Sequence, residues 1–322
     1  MPQDNIHNPH DKLAKTTFSD IPTARAFFQA YLGDCLAKRI DWTSLRVESG
    51  SFIDQELVKT ESDLLYAAKV DNSDAFLYIL FEHQSTEDRW IAFRILTYMV
   101  RIWEKSLRSN PGLKALPPIL PIVLAQSDKP WQSPTRFLDL LAIPRGLEED
   151  LLKVTPDFRF QLVELFRMPF EKIVGTPMGV LTLRALKAER MGELLADAVW
   201  DEVLLIQLPT DALERLMRYI FKADIDKPQF ASKLKNITNP KLNETAMTLE
   251  QQFRQEGRQE GRQEGQIYSK QQDILELLEI RFKRVPEGLK EEILCIRDLP
   301  KLAVLLRAAA LSSDIETFVS EL

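Results

Sequence analysis

Residues 76–85 read "FLYILFEHQS". The six bulky apolar or aromatic residues from Phe76 to Phe81 favour a strand buried on both faces. Within three further positions the run turns to a carboxylate, an imidazole and an amide. A strand that only fills a core has no use for Glu82. Side chains alternate along a strand, so Glu82 and Gln84 share one face and His83 takes the other.

The preceding run, "SDLLYAAKV", also reads as a strand, and the polar "DNSD" at 71–74 turns the chain between the two. In a hairpin of these strands Asp63 opens one and Glu82 closes the other, so both fall at the same edge. Two carboxylates converging there make a hard-oxygen site suited to Mg²⁺. Such an ion polarises a phosphoryl oxygen and lowers the pKa of a bound water. The plainer reading is two solvated acids at strand ends.

Working outward, "DKLAKTTFSDIPTARAFFQAYLGDCLAKRI" has helical spacing, and Ser19 or Asp20 can cap a second helix starting near Pro22. "LRVESGSFI" is a short strand. "EDRWIAFRILTYMVRIWEKSLR" is an amphipathic helix stopped by Asn110-Pro111-Gly112, with Trp90, Phe93, Ile95, Leu96 and Met99 as its core side. "PPILPIVLA" and "FRFQLVELF" are further strands, and the pattern after about residue 176 is mainly helical. Arg254–Gly265 repeats "RQEG" three times, and the last segment is a set of helices split at Pro286 and Pro300. The expected organisation is an α/β domain over 1–245, a charged repeat over 246–270 and a small helical module over 271–322.

The 322 residues are 45% hydrophobic and 28% charged, which is ordinary globular composition. Cys35 and Cys295 offer neither a disulfide framework nor zinc spacing, and a reducing cytoplasm is expected. The start, "MPQDNIHNPHDK", lacks an apolar signal segment, and the stretch near "ALPPILPIVLA" is too short and Pro-rich to span a membrane. The net charge of −6 argues mildly against nonspecific nucleic-acid binding, although a bound metal can supply local positive charge. No Gly-rich phosphate loop follows a strand, so no organic cofactor is expected.

Other residues carry two readings each. Arg94, Tyr98 and Arg101 recur at i, i+4, i+7, which suits phosphate contact or ion pairs with local acids. His83 reads as a hydrogen-bonded structural histidine. Gly257, Gly261 and Gly265 form a stripe that suits either a close helix–helix dimer contact or a charged linker. Asp11 is a helix-start acid helped by the macrodipole.

"HDKLAKTTFSDIPTARAFFQAYL", "IDWTSLRVESGSFIDQELVKTESDLLYAAK", "LYILFEHQSTEDRWIAFRILTYMVRIWE" and "PPILPIVLAQSDKPW" together resemble the Rpn family of recombination-promoting nucleases, also called putative transposases or YhgA-like proteins. The resemblance is dense from His10 to Trp131, and "SDLLY" with "EHQS" is its specific part. It implies the PD-(D/E)XK nuclease superfamily. The fold is then a restriction-endonuclease-like central mixed sheet flanked by helices, with a C-terminal helical tail. It implies metal-dependent cleavage of DNA that promotes recombination, with Asp63 and Glu82 on Mg²⁺. Gln84 matches the position usually held by Lys; it can orient a water but brings no charge. Asp11 matches the family's His-Asp opening and a possible third acid near the metal. "AQSDKPW" departs from the Tyr-His-Gly-like stretch that relatives often carry before Pro-Trp.

The reading is thus a cytoplasmic DNA endonuclease, with a homodimer through the RQEG segment or the helical tail as a possible assembly. A strand-transferring transposase would need a third acid on a later helix. The uncharged Gln84 and the acidic net charge keep a degenerate DNA-binding or partner-binding protein as the other alternative.

Overall fold

The computed structural model describes residues 9–48, 64–71, 76–223, 225–283 and 285–322. The chain divides into two units, Met1–Met247 and Thr248–Leu322. In the first, three helices, α1 (Pro9–Phe18), α2 (Ile21–Tyr31) and α3 (Asp34–Ala37), precede the strands β1 (Ile40–Val47), β2 (Leu64–Val70) and β3 (Phe76–Gln84). Then follow α4 (Ile91–Ser109), β4 (Ile119–Ala125), α5 (Glu148–Leu152), β5 (Gln161–Glu164) and α6 (Pro177–Met191). The helices α7 (Glu202–Leu205), α8 (Thr210–Lys222) and α9 (Lys227–Lys235) lead into α10 (Pro240–Phe282).

Among the described residues five strands form one mixed sheet in the order β1-β2-β3-β4-β5, as expected of a restriction-endonuclease-like α/β fold. The doubly buried run reaches the sheet's middle because it is apolar on both sides. β2 and β3 pair antiparallel from Lys69↔Phe76 to Leu64↔Phe81. β3 and β4 pair parallel from Tyr78↔Ile119 to Gln84↔Ala125, and β4 and β5 are parallel as well. A parallel pair needs a crossover, and α4 is that crossover. Asp63, one residue before β2, lies outside the described residues.

The two faces of β3 have separate cores. On one, Leu80 with Leu65 and Val123 meets Ile91, Ile95 and Ile102 of α4. On the other, Phe81 lies among the rings of Phe18, Phe27 and Phe28, at centroid distances of 5.0, 5.5 and 6.1 Å. Those rings come from α1 and α2. The turn between these helices is set by Asp20, whose Oδ2 accepts the Thr23 N–H at 3.0 Å, with Pro22 in the first turn of α2. Of the two expected caps, Asp20 is the one used.

Three expectations shift. Trp90 and Phe93 are not core but 57% exposed each. A helix turns about 100° per residue, and the stripe Ile91, Ile95, Tyr98, Ile102 faces the sheet, which puts positions 90 and 93 on the far side. The strand around "LRVESGSFI" begins earlier, at Ile40, and β5 is shorter than "FRFQLVELF". The RQEG repeat is continuous helix within α10, with its glycines in open space: nothing would lie within 4 Å of a Cβ at Gly257, Gly261 or Gly265. Gly costs about 1 kcal/mol each there, and the intervening Arg, Gln and Glu are good helix formers.

In the second unit the end of α10 packs with α11 (Glu287–Cys295), α12 (Leu299–Leu311) and α13 (Ile315–Val319). Its core includes Ile274, Leu278, Ile293, Leu302, Leu305 and Phe318. Long side chains of α10 satisfy helix-end carbonyls that would otherwise lack donors. Gln271 Nε2 donates to Leu294 O and Ile296 O at 3.0 and 2.9 Å, and Arg281 donates to Ala309 O and Ser312 O at 2.7 Å each.

Phe81 fills the sheet's most aromatic contact. Phe81→Ala is expected to lower unfolding free energy by about 3–5 kcal/mol, read from denaturant midpoints by circular dichroism.

Candidate active site at the end of the central strand

β3 leaves the core at its last three residues, and the alternation there sorts them into two polar clusters. Glu82 continues the face of Leu80, under the first turn of α4, and is wholly buried. Its Oε1 accepts from Gln84 Nε2 at 2.6 Å and from Arg94 Nη2 at 2.7 Å. Gln84 Nε2 also lies 3.0 Å from the His83 carbonyl. Arg94 reaches back with Nη1 to Asp88 Oδ2 at 3.0 Å, and Asp88 Oδ1 accepts the Trp90 N–H at 2.8 Å. Asp88 therefore ties the start of α4 to the guanidinium that holds Glu82.

The second carboxylate oxygen, Glu82 Oε2, is buried with no hydrogen-bond partner among the described residues. Withdrawing an ion from water costs several kcal/mol unless it is paired, and Arg94 pairs one oxygen only. The other is a hard anionic donor open to a cation, which is the ligand type Mg²⁺ takes. Among the described residues no group of three His, Cys, Asp or Glu side chains could hold a metal ion.

The opposite face of β3 holds a different cluster. His83 Nδ1 is 2.7 Å from Asp11 Oδ1 of α1, and His83 Nε2 is 3.1 Å from Gln126 Oε1 just after β4. Gln126 Nε2 donates to Leu186 O at 2.8 Å, which turns its oxygen toward His83, so Nε2 of that ring carries hydrogen. Gln126 Nε2 also approaches Glu189 Oε2 at 3.2 Å and His10 Nδ1 at 3.4 Å, and Tyr219 Oη of α8 is 2.8 Å from His10 Nδ1. Burial, followed by the positive charge of Arg190, pushes the His10 imidazole down to about 4. Burial, followed by the Glu189 charge, pushes the Tyr219 phenol up.

Of the residues expected at the site, Glu82, Gln84 and Arg94 come together. Asp11 does not join them as a third acid; His83, on the reverse side of the strand, draws it away. Arg94 is engaged by two carboxylates, so the ion-pair reading of that helix face holds for it rather than phosphate contact. Tyr98 turns into the core, and Arg101 is half-buried, its Nη1 without a hydrogen-bond partner among the described residues. Asp88, Gln126, Glu189 and Tyr219 went unread. Asp88 had a local signal as an acid just ahead of a helix. Glu189 and Tyr219 had none, lying 63 and 209 positions from the groups they meet.

The family profile described as "Putative transposase, YhgA-like" matches residues 8–207. The chain is 30% identical over 175 residues to "Recombination-promoting nuclease RpnA" of Escherichia coli (strain K12), covering 54% of this chain and 58% of that one. It is 31% identical over 169 residues to "Recombination-promoting nuclease RpnD" of Escherichia coli O157:H7, covering 52% and 62%. The chain therefore spans about three fifths of these two relatives' length. It is 27% identical over 260 residues to "Inactive recombination-promoting nuclease-like protein RpnE" of Escherichia coli (strain K12), covering 79% and 84%. No solved structure matches.

Removing Arg94 strands the Glu82 charge. Arg94→Ala is expected to lower stability by about 2–3 kcal/mol, the low end for such a loss because the Arg94 side chain is 28% exposed. Adding Glu82→Gln to that variant should restore most of it, as a double-mutant cycle in denaturant would measure.

His10 is held neutral in the fold, below its ordinary 6.5. Its contribution is complete above pH 6.5 and is lost as pH falls from 6.5 toward 4, because the unfolded chain binds that proton first. Wild type should lose more stability between pH 7 and pH 5 than His10→Gln, as paired unfolding curves would report.

Proposed function

The chain belongs to the family of YhgA-like putative transposases, and on that premise we propose that it is a divalent-metal-dependent DNA endonuclease whose cutting promotes recombination. One observation carries the reading. A wholly buried carboxylate closes the central strand, with one oxygen clamped by Gln84 and Arg94 and the other without a donor among the described residues. Relatives named recombination-promoting nucleases support the same reaction class.

Glu82 and Asp63 would hold Mg²⁺. Asp63 precedes β2 by one residue in the sequence, and β2 pairs antiparallel with the strand that ends in Glu82 and Gln84. When bound, the ion supplies Lewis acidity toward a phosphodiester and acidifies a water. The chain's own residues prepare the place. Gln84 spends its amide N–H on Glu82 Oε1, so it orients the ligand carboxylate instead of offering the charge of the usual Lys. Arg94 pairs with the same Glu82 oxygen, and Asp88 holds Arg94. Both are positioning residues. Among the described residues no helix is long and apolar enough to cross a membrane, and the cytoplasm is the proposed location, where DNA is available.

A non-cleaving, DNA-binding member is the second reading. It is favoured by the match over 79% of this chain to a relative named as inactive.

Supercoiled plasmid incubated with Mg²⁺ should be nicked by the wild type and spared in EDTA. Asp63→Asn and Glu82→Gln should each slow nicking by at least about 100-fold, since even outer partners of catalytic metals are worth 10–100-fold. Equal nicking by either variant would remove the chemistry from this site. Intact plasmid with retained DNA binding would select the second reading.

A further inference from the structure

Two aromatic rings stand out in water beside the buried carboxylate. Trp90, at the N-cap of α4, and Phe93, in its first turn, are each 57% exposed. Single exposed apolar residues are ordinary; two neighbouring aromatics next to a candidate active site are a surface that something covers. Their link to that site is short. The Trp90 N–H donates to Asp88 Oδ1, Asp88 Oδ2 accepts from Arg94, and Arg94 donates to Glu82 Oε1. The rings are therefore carried on a helix end tied to the catalytic carboxylate, not on a free loop.

The surroundings indicate what covers them. Arg89 is exposed beside Trp90, and the helical turn places Arg101 along the border between the exposed rings and the buried stripe, where Arg94 is already engaged by Glu82 and Asp88. Aromatic faces interleaved with arginines bind strands whose bases are free to stack and whose phosphates need charge. Paired bases keep their faces inside the duplex and cannot use such a platform. A protein contact also uses aromatic and arginine anchors, but in a continuous apolar patch. Farther along α4 the same side carries Val100 and Leu107 but is broken by Glu104.

We propose that Trp90 and Phe93 stack on unpaired bases, so that the substrate presented to the Glu82 site is DNA with single-stranded character. This rests on the nuclease reading for what happens after binding, while the binding itself can be tested apart from cleavage.

The test uses full-length protein carrying Glu82→Gln, without divalent ions. Fluorescence anisotropy compares a labelled single-stranded oligonucleotide with the duplex of the same sequence. The single strand should bind more tightly. Trp90→Leu and Phe93→Leu should each weaken it roughly tenfold and leave duplex affinity nearly unchanged. Trp90→Phe, which keeps a ring, should retain most of the affinity, and as both sites are exposed the unfolding midpoint should not move. Quenching of Trp90 fluorescence by the single strand should disappear in Trp90→Phe. Duplex preference, equal losses on both DNAs, or equal binding by the Leu variants would overturn the inference. So would a change of sedimentation from dimer to monomer with DNA affinity intact, which would make the face a protein contact. Plasmid nicking is scored separately on the Glu82-intact protein. If it is absent while stacking holds, the nuclease reading falls alone; if it is present and the Leu variants bind as wild type does, the stacking inference falls alone.

Discussion

A carboxylate taken fully out of water has to find positive charge or donors, and much of the first unit is arranged around that requirement at Glu82. The central strand carries the group into the interior. Arg94 meets it from α4, and Asp88 meets Arg94 from the loop that brings the chain from strand to helix. Because β3 and β4 are parallel, α4 must cross between them, and its first turn necessarily begins near the strand end it has just left. The crossover that closes the sheet is thus the same element that delivers the counter-charge. Among the described residues Glu82 Oε2 is left without a donor, and such a buried carboxylate oxygen is where function is to be sought.

The same strand supports a second polar cluster with a different character. His83, Asp11 and Gln126 have their hydrogen-bonding capacity met by one another and by Leu186, and the cluster is lined by His10, Tyr219 and Glu189. It stitches α1, α6 and α8 to the sheet. A satisfied network of this kind favours one arrangement of its elements over alternatives. The contrast with Glu82 is informative: two clusters at adjacent residues, one closed and one with an oxygen to spare.

Much of the fold was legible because apolar periodicity is a local signal. The doubly apolar 76–81 run, the amphipathic α4, the Asp20-Ile21-Pro22 helix start and the helix breaks near Pro286 and Pro300 all read directly. Glu82 and Gln84 could be assigned to one face from alternation alone. The misreadings came from local rules applied beyond their reach. Apolar character alone assigns Trp90 and Phe93 to the core side, although their helical phase opposes the buried stripe. Asp11 was grouped with the other acids, although its nearest base lies on the strand's other side. The RQEG segment reads from sequence as either linker or helix, and it is helix in the structure. Partners such as Glu189 and Tyr219 are brought in by tertiary folding and leave no trace at the positions they serve.

The alternation of β3 sets a limit on how this gene can vary in length. Loss or gain of one codon between Leu77 and Phe81 would rotate everything after it by half a turn, delivering imidazole to the arginine and carboxylate to the aspartate. Both clusters would fail at once, by like-charge contact on one side and by an unmatched cation on the other. Insertions and deletions in this lineage should therefore collect in the stretches flanking the strand, and the spacing from Leu77 to Gln84 should be invariant even where the residues themselves drift.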